Sequence, residues 1–288
     1  MGRGQRMILR NQKESWKRRF AATFFLILLF ACNTNSQDLD LDVPFVPTPQ
    51  VVVDRMLELA GVGPGDYVID LGSGDGRIVV SAAKRGAIGH GVDLNPQRIR
   101  EARENAQKEG VTDRVVFVRE DLFETDFRTA SVVTMYLLSS VNLKLRPRIL
   151  EELRPGTRIV SYSFDMDEWK PDVEDSVSAN GSTGGYEVYL WIVPAQVDGD
   201  WAWTSSSGRF SMTIDQQFQE VDVSFGDSGR DLKVTRASLK GPKLEILAEG
   251  SGASYLYYGH VEGDQISGTV QIREGNDSRI ENWVATRR

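Results

Sequence analysis

Cysteine and histidine are scarce in this chain of 288 residues, and their scarcity excludes several kinds of active site. The one cysteine is Cys32, and the two histidines are His90 and His260. A single cysteine cannot form an intramolecular disulfide, and so few sulfur and imidazole ligands exclude a Cys/His zinc site. A Ser-His-Asp triad would need one of these histidines, and neither follows a nucleophile elbow. The sequence therefore predicts no metal site and no serine-hydrolase chemistry.

Positive charge is also in short supply outside the N-terminus. The chain has 34 Lys and Arg against 41 Asp and Glu, a formal net charge of −7. Residues 1–31 hold seven of the basic residues and one Glu, which leaves the rest of the chain with a net charge of about −13. Because phosphate recognition needs a basic surface, this balance argues against nucleic acid as a partner. A basic acceptor suits an acidic body better, although such a charge also serves solubility alone.

The N-terminal residues are typical of an export signal. Seven basic side chains lie within residues 1–19, an uncharged apolar run occupies residues 21–31, and Cys32 follows at once. Eleven uncharged residues are too few to span a bilayer as a helix, but they match the core of a secretory signal. We expect residues 1–32 to be a signal peptide, a lipoprotein signal that attaches Cys32 to the membrane, or an uncleaved anchor. The expected location is the cell envelope, with the cytoplasmic face as the alternative, and residues 33–43 are predicted to be a linker.

Apolar runs alternate with helical patterns over residues 44–194. Buried strands are predicted at residues 67–71, 89–93, 115–118, 132–137, 157–164 and 186–193. Helical spacing of apolar residues appears over residues 51–60, 77–85, 96–109 and 143–153. Strands that alternate with helices predict an α/β, Rossmann-like fold with a mainly parallel sheet. Ligands of such sheets bind beyond the carboxyl ends of the strands.

A glycine-rich loop follows the first predicted strand, with the sequence Asp70-Leu71-Gly72-Ser73-Gly74-Asp75-Gly76. Glycine permits positive φ and close approach of a ligand to the backbone. A dinucleotide site needs the spacing G-x-G-x-x-G, whereas the spacing here is G-x-G-x-G. A carboxylate at the position of Asp70 would repel a pyrophosphate, but it suits a ligand that bears an ammonium and a sulfonium. S-adenosylmethionine (SAM) is such a ligand.

Acidic residues also end the next two predicted strands. Asp93 ends the second strand, where a carboxylate can accept hydrogen bonds from both ribose hydroxyls, and Leu94 follows it. Asp121 follows the third strand, within reach of an adenine amino group, with Leu122 as apolar cover. Together these residues predict SAM as the cofactor. The alternative is that the aspartates only cap helices and turns.

The glycine loop and its flanks resemble a known family. The segment 70–77 is similar to the first motif of seven-β-strand SAM-dependent methyltransferases. Segments 44–49, 136–138 and 142–147 are similar to protein-lysine methyltransferases related to the mitochondrial enzymes that modify the ATP synthase c subunit and the adenine nucleotide translocase. The resemblance covers roughly residues 43–194. It implies a seven-stranded sheet over residues 44–194, SAM as cofactor and a lysine amine of a protein as acceptor.

The resemblance also implies roles for individual residues. Phe45, Pro47 and Thr48 would close over the cofactor, and Tyr136 and Asn142 would face the methyl group as catalytic residues. Tyr136 is alternatively a packing residue at a strand end, and Asn142 a cap of the helix that follows. The cofactor-binding set is then Pro47, Thr48, Asp70, Gly72, Ser73, Gly74, Asp93, Leu94, Asp121 and Leu122.

Two other functions stay open from the sequence. One is methylation of a small molecule. The other is a SAM-binding envelope protein without turnover, because SAM is made in the cytoplasm and an exported enzyme would lack it.

The sequence pattern changes from residue 195 onward. Seven short alternating runs between residues 210 and 286, separated by turn residues, predict a small antiparallel all-β domain over residues 195–288, a sandwich or a barrel. Trp201, Trp203 and Trp283 are predicted to be core or closure residues, with a binding surface as the alternative.

Overall fold

The computed structural model describes residues 45–178, 185–205, 208–226, 232–250 and 252–288. The predicted signal in residues 1–32, with Cys32, and the predicted linker in residues 33–43 lie outside the described residues. All described residues fall in one compact unit, Leu41–Arg288. Within these ranges, no helix combines the length and the hydrophobicity that crossing a bilayer requires.

The first part of the chain alternates helices and strands. The helices are α1 (Gln50–Leu59), α2 (Arg77–Lys84), α3 (Pro96–Lys108) and α4 (Ser139–Glu152). The strands are β1 (Tyr67–Leu71), β2 (Ile88–Asp93), β3 (Val115–Arg119), β4 (Val132–Met135), β5 (Arg158–Tyr162), β6 (Val173–Ser178) and β7 (Gly185–Ile192).

These seven strands form one sheet in the order β3-β2-β1-β4-β5-β7-β6. The first five strands in this order are parallel, and β7 runs antiparallel to both β5 and β6. The chain order reverses between β1 and β4, so the carboxyl ends of these strands flank the crevice where such sheets bind ligands. This is the predicted Rossmann-like α/β fold with a mainly parallel seven-stranded sheet.

Local sequence explains why these elements form where they do. The central strands β1 and β4 are almost continuously apolar, because helices cover both faces of the sheet. Helix α3 begins at Pro96, whose missing N–H costs nothing in the first turn, and the side chain of Asn95 accepts a hydrogen bond from Gln97 N at 2.9 Å. These signals place α3 directly after β2.

The second part of the chain is an antiparallel sheet of eight strands. They are β8 (Gly199–Ser205), β9 (Gly208–Gln217), β10 (Glu220–Phe225), β11 (Lys233–Lys240), β12 (Lys243–Gly250), β13 (Ala253–Glu262), β14 (Gln265–Glu274) and β15 (Asp277–Arg287). Their order is β10-β9-β8-β15-β14-β13-β12-β11, and β10 lies beside β11, so the sheet is a nearly closed barrel. Trp201, Trp203 and Trp283 are buried in its core. Here the prediction of an all-β region with core tryptophans is confirmed.

Two strands and one helix boundary differ from the sequence predictions. The interpretation of the sequence contained neither β6 nor β8. It also placed the start of the fourth helix near residue 143, whereas α4 begins at Ser139. Asn142 therefore lies inside the helix, where its own backbone N–H donates to Leu138 O at 3.0 Å, and it is not a capping residue.

Candidate active site

The glycine loop turns sharply between β1 and α2. Gly72, Gly74 and Gly76 have φ values of +78°, +52° and +77°, a region that other residues rarely adopt. The backbone N–H groups of Gly72 and Ser73 donate to Val92 O at 3.0 and 2.8 Å, which fastens the loop to the end of β2. A Cβ atom on Gly76 would lie 2.7 Å from the Phe117 ring. The loop therefore depends on glycine both for its backbone angles and for space.

Asp93 connects the glycine loop to the start of α3. One carboxylate oxygen accepts a hydrogen bond from Gly74 N at 2.9 Å, and the other accepts one from Asn95 N at 2.7 Å. A carboxylate has about four acceptor positions, so it can accept two further hydrogen bonds from a ligand. This geometry fits the predicted contact with a ribose diol.

Asp70 is the buried acidic group of the site. Its side chain is 2% exposed and accepts a hydrogen bond from Thr134 Oγ1 at 2.7 Å. Burial raises the pKa of Asp70 to about 7, and the neighbouring charges of Asp93 and Asp75 act in the same direction, against the effect of Thr134. A cationic ligand beside Asp70 would favour its charged form. The residue thus suits an ammonium or sulfonium ligand.

The segment before α1 folds over the glycine loop. The Phe45 ring lies against Gly74, so closely that a Cβ on Gly74 would be 2.3 Å from it, and the Arg98 guanidinium is 3.9 Å from the ring centroid. Arg77 donates to Thr48 O at 2.6 Å and pairs with Asp75 at 2.5 Å, which ties the segment to the loop. This segment, which is in neither a helix nor a strand, thereby forms one wall of the site.

These residues surround a cleft of about 890 Å³, including the space at its mouth. Ser73 lines the cleft, and its buried Oγ has no hydrogen-bond partner among the described residues. The cleft presents a partly satisfied carboxylate and a glycine cradle, a set that fits SAM. The sequence-predicted residues in its lining are Phe45, Pro47, Thr48, Asp70, Gly72, Ser73, Gly74, Asp93, Leu94, Leu122 and Tyr136.

Tyr136 stands at the end of the cleft beyond β4. Its ring centroid is 4.2 Å from that of Tyr162 and 6.1 Å from that of Phe164. Burial raises the pKa of Tyr162 to about 12, with the phenols of Tyr136 and Tyr186 adding to the effect. An aromatic wall therefore adjoins the cofactor cleft on the side of β4 and β5.

Two sequence-predicted site residues do not line the cleft. The Asp121 carboxylate accepts a hydrogen bond from Phe123 N at 2.9 Å, while its neighbour Glu120 lines the cleft. Asn142 is fully buried, and its amide donates to Phe164 O at 3.1 Å and to Asp165 O at 3.2 Å. Its Oδ1 has no partner within the described part of the chain. The structure places Asn142 under the loop that follows β5, and not in the lining of the cleft.

The sequence interpretation did not include Arg98 and Glu120, which also line the cleft. Arg98 lies in the first turn of α3, and a helix that follows a strand directly begins at the carboxyl edge of the sheet. The position of Arg98 in the sequence therefore already indicates that it lies near the cleft. For Glu120, the signal was its place directly after β3.

The strand order, the glycine loop and the carboxylates at the strand ends together define a class I, seven-β-strand, SAM-dependent methyltransferase. Comparison with known proteins agrees. A family model described as the ANTKMT methyltransferase domain matches residues 70–173. A protein-lysine N-methyltransferase from Saccharolobus islandicus is 46% identical over 155 residues, which are 52% of this chain and 94% of that protein.

A more distant relative and a solved structure complete the comparison. The human lysine N-methyltransferase of the ATP synthase c subunit is 33% identical over 130 residues, and the chain spans 55% of its length. A solved RNA methyltransferase from Salinibacter ruber, in complex with S-adenosyl-L-homocysteine, is 52% identical over 53% of this chain and 96% of that one, with a TM-score of 0.49. On its similarity to the Saccharolobus protein, this chain belongs to the family of the ANTKMT-type methyltransferases.

Proposed function

We propose that the protein transfers a methyl group from SAM to a lysine amine of a protein. The observation that carries the proposal is the aromatic wall beside the cleft, beyond β4 and β5, from which an acidic loop continues. Residues 163–172, here called the acceptor-side loop, join β5 to β6 and contain four acidic residues and one Lys. Such a loop attracts an ammonium group and repels a polyphosphate. The lysine specificity in the names of the relatives supports the same acceptor.

The residues of this chain would act by positioning and desolvation. SAM supplies a methyl group that is already activated on a sulfonium. A free lysine has a pKa of about 10.4, so it must lose a proton before it can attack. The rings of Tyr136, Tyr162 and Phe164 exclude water beside the cleft, and desolvation favours the neutral amine. Orientation of the two reactants accounts for up to roughly 7–11 kcal/mol in such reactions.

Labelling with methyl-tritiated SAM tests the proposal. The full chain is incubated with a protein extract, with total RNA and with a small-molecule extract, and Asp93→Ala serves as the variant with an impaired cofactor site. We expect label in protein that protease removes and ribonuclease does not, and mass spectrometry should resolve it to methyllysine. Label that ribonuclease removes, label confined to small molecules, or cofactor binding without a labelled product would each overturn the proposal.

We also propose, from residues 1–32 alone, that the protein is directed to the cell envelope through Cys32 or through cleavage nearby. Fractionation of cells that express the full chain and Cys32→Ser tests this. Loss of membrane association only in Cys32→Ser supports lipidation, whereas a full chain found in the cytoplasm would contradict the proposed location.

A further inference from the structure

A hairpin turn of the barrel contacts the acceptor-side loop. Phe218 and Gln219, here called the barrel turn, join β9 to β10. The Phe218 ring stacks on Trp169 with a centroid distance of 6.0 Å and an interplanar angle of 17°. Gln219 Nε2 donates to Lys170 O at 2.7 Å. A turn of the second sheet thus packs on the loop that borders the acceptor side of the first.

The Phe218 ring packs against the core of the methyltransferase part and not against that of the barrel. It packs against the buried cluster that contains Trp169, Trp191 and Ile69. The Arg146 guanidinium lies 5.4 Å from the centroid of the Phe218 ring, and Arg146 also donates to Met166 O at 2.9 Å. One aromatic ring therefore contacts both the loop and the helix α4 beneath it.

The backbone of Phe218 is in an unfavourable conformation. Its φ is +57°, and a two-residue hairpin turn with positive φ favours Asn, Asp or Gly over a bulky side chain. Elsewhere in the described ranges, positive φ at a non-glycine residue occurs at Ser163 and Asp167, both in the acceptor-side loop. Backbone strain of this kind persists where surrounding structure enforces it, and it clusters at functional sites. The residues with positive φ therefore lie on both sides of the contact between the barrel turn and the acceptor-side loop.

The loop extends this contact to the cleft. Trp169 and Met166 are fully buried, so they hold the loop against the sheet. At the start of the loop, Phe164 O accepts hydrogen bonds from Asn142 Nδ2 and from Ser161 Oγ, the latter at 2.6 Å. The Phe164 ring then stacks beside Tyr136, which lines the cleft. A continuous series of contacts connects the barrel turn to the wall where the acceptor would lie.

We propose that the barrel is a built-in positioning element, and that Phe218 is the positioning residue that holds the acceptor-side loop in the shape that accepts substrate. The claim that this loop serves the acceptor rests on the proposed function above. The mechanical part of the proposal is that the barrel turn orders the loop, and it stands independently of that function.

Hydrogen–deuterium exchange tests the mechanical part without any methyl acceptor. Asn suits a turn with positive φ, so Phe218→Asn keeps the hairpin and removes the ring. We expect exchange within residues 163–172 to become at least fivefold faster, while exchange within residues 67–77 and the Kd for S-adenosylhomocysteine change less than twofold. Unchanged exchange in the loop would overturn the proposal, and so would a rise of equal size in both segments.

Steady-state kinetics with poly-L-lysine as acceptor test the functional part. Phe218→Asn is expected to raise the KM for poly-L-lysine at least fivefold, with the KM for SAM unchanged. Phe218→Tyr keeps the ring and should restore the KM. Ile280→Ala, which removes a 68% exposed side chain from β15, is the control and should leave both constants unchanged. A Phe218→Asn enzyme with an unchanged KM for poly-L-lysine would contradict the inference. If the wild-type chain methylates neither poly-L-lysine nor a protein of the extract, the proposed acceptor fails, and exchange alone decides the role of the turn.

Discussion

At the scale of single residues, Asp93 carries the predicted contact with the ribose. Its carboxylate fixes Gly74 N and Asn95 N and keeps acceptor positions for a diol. Hydrogen bonds to a charged group contribute roughly 1.5–3 kcal/mol each. We therefore expect Asp93→Ala to weaken SAM binding more than tenfold in isothermal titration calorimetry. Asp113→Ala removes an exposed aspartate near β3 and should leave the affinity unchanged; equal affinities for wild type and Asp93→Ala would refute the ribose assignment.

Asp70 makes the stability of the ligand-free protein depend on pH. Its pKa is about 7 in the folded protein against 3.8 for an aspartate exposed to water, so the folded state favours the neutral acid. The stabilisation that this raised pKa gives the folded state is fully present below about pH 4, and it is lost as pH rises toward and through 7. The loss is on the order of 4 kcal/mol at most.

Asp70→Asn should remove this dependence. Asn keeps an oxygen for the Thr134 hydroxyl but carries no charge. Urea unfolding without cofactor, at pH 5 and pH 8, is expected to show a smaller decrease in the free energy of unfolding for Asp70→Asn than for wild type. Parallel decreases in the two proteins would show that another group causes the effect.

At the scale of elements, the glycine loop is the part whose geometry tolerates least change. Gly74 has φ +52°, and an added Cβ would lie 2.3 Å from the Phe45 ring. Gly74→Ala should therefore displace Phe45 and weaken SAM binding at least tenfold by calorimetry. Gly110 has φ +69° with nothing within 4 Å of an added Cβ, so Gly110→Ala is a matched control that adds backbone strain without a clash.

The two glycine variants separate strain from crowding. A residue with Cβ in the left-handed region costs about 1–2 kcal/mol. Both variants should lose stability of that order, whereas the affinity for SAM should fall in Gly74→Ala alone. A comparable loss of affinity in Gly110→Ala would mean that general destabilisation, and not the contact with Phe45, weakens binding.

The sequence pattern predicts the strands that are buried on both faces of the sheet. Strands β1 and β4 are covered by helices on both faces, and their apolar runs are plain in the sequence. Strand β6 was missed because it pairs with β7 alone, at the sheet edge, and all its side chains are exposed or half-exposed. Edge strands carry polar residues that blunt further pairing, so they lack the apolar run by which buried strands are recognised.

The same distinction applies to the site. The glycine loop and Asp93 are predictable because their partners are near in sequence. After β3, the structure turns the side chain of Glu120, and not that of Asp121, into the cleft. The sequence pattern does not decide between two adjacent residues. Phe218 could not be found from sequence, because its importance comes from a contact with Trp169, 49 residues earlier in the chain.

At the scale of the whole molecule, the uneven charge should control how a basic acceptor approaches. Outside residues 1–31 the chain has a net charge of about −13, and the acceptor-side loop is itself acidic. Long-range attraction between exposed charges is screened within about 10 Å at 0.1 M ionic strength and about 3 Å at 1 M. A protein acceptor rich in lysine is therefore expected to associate faster at low salt.

The salt dependence of methylation tests this attraction between the acidic surface and a basic acceptor. Between 50 and 500 mM NaCl, the KM for poly-L-lysine should rise several-fold, because screening removes the attraction that concentrates a cationic acceptor near the cleft. The affinity for S-adenosylhomocysteine should change far less, since Asp93 and the glycine loop, which would bind it, are partly buried in the cleft. Asp165→Asn and Asp167→Asn together should reduce the slope of KM against salt. A KM that is independent of salt would show that the acidic surface serves solubility and takes no part in bringing the acceptor to the site.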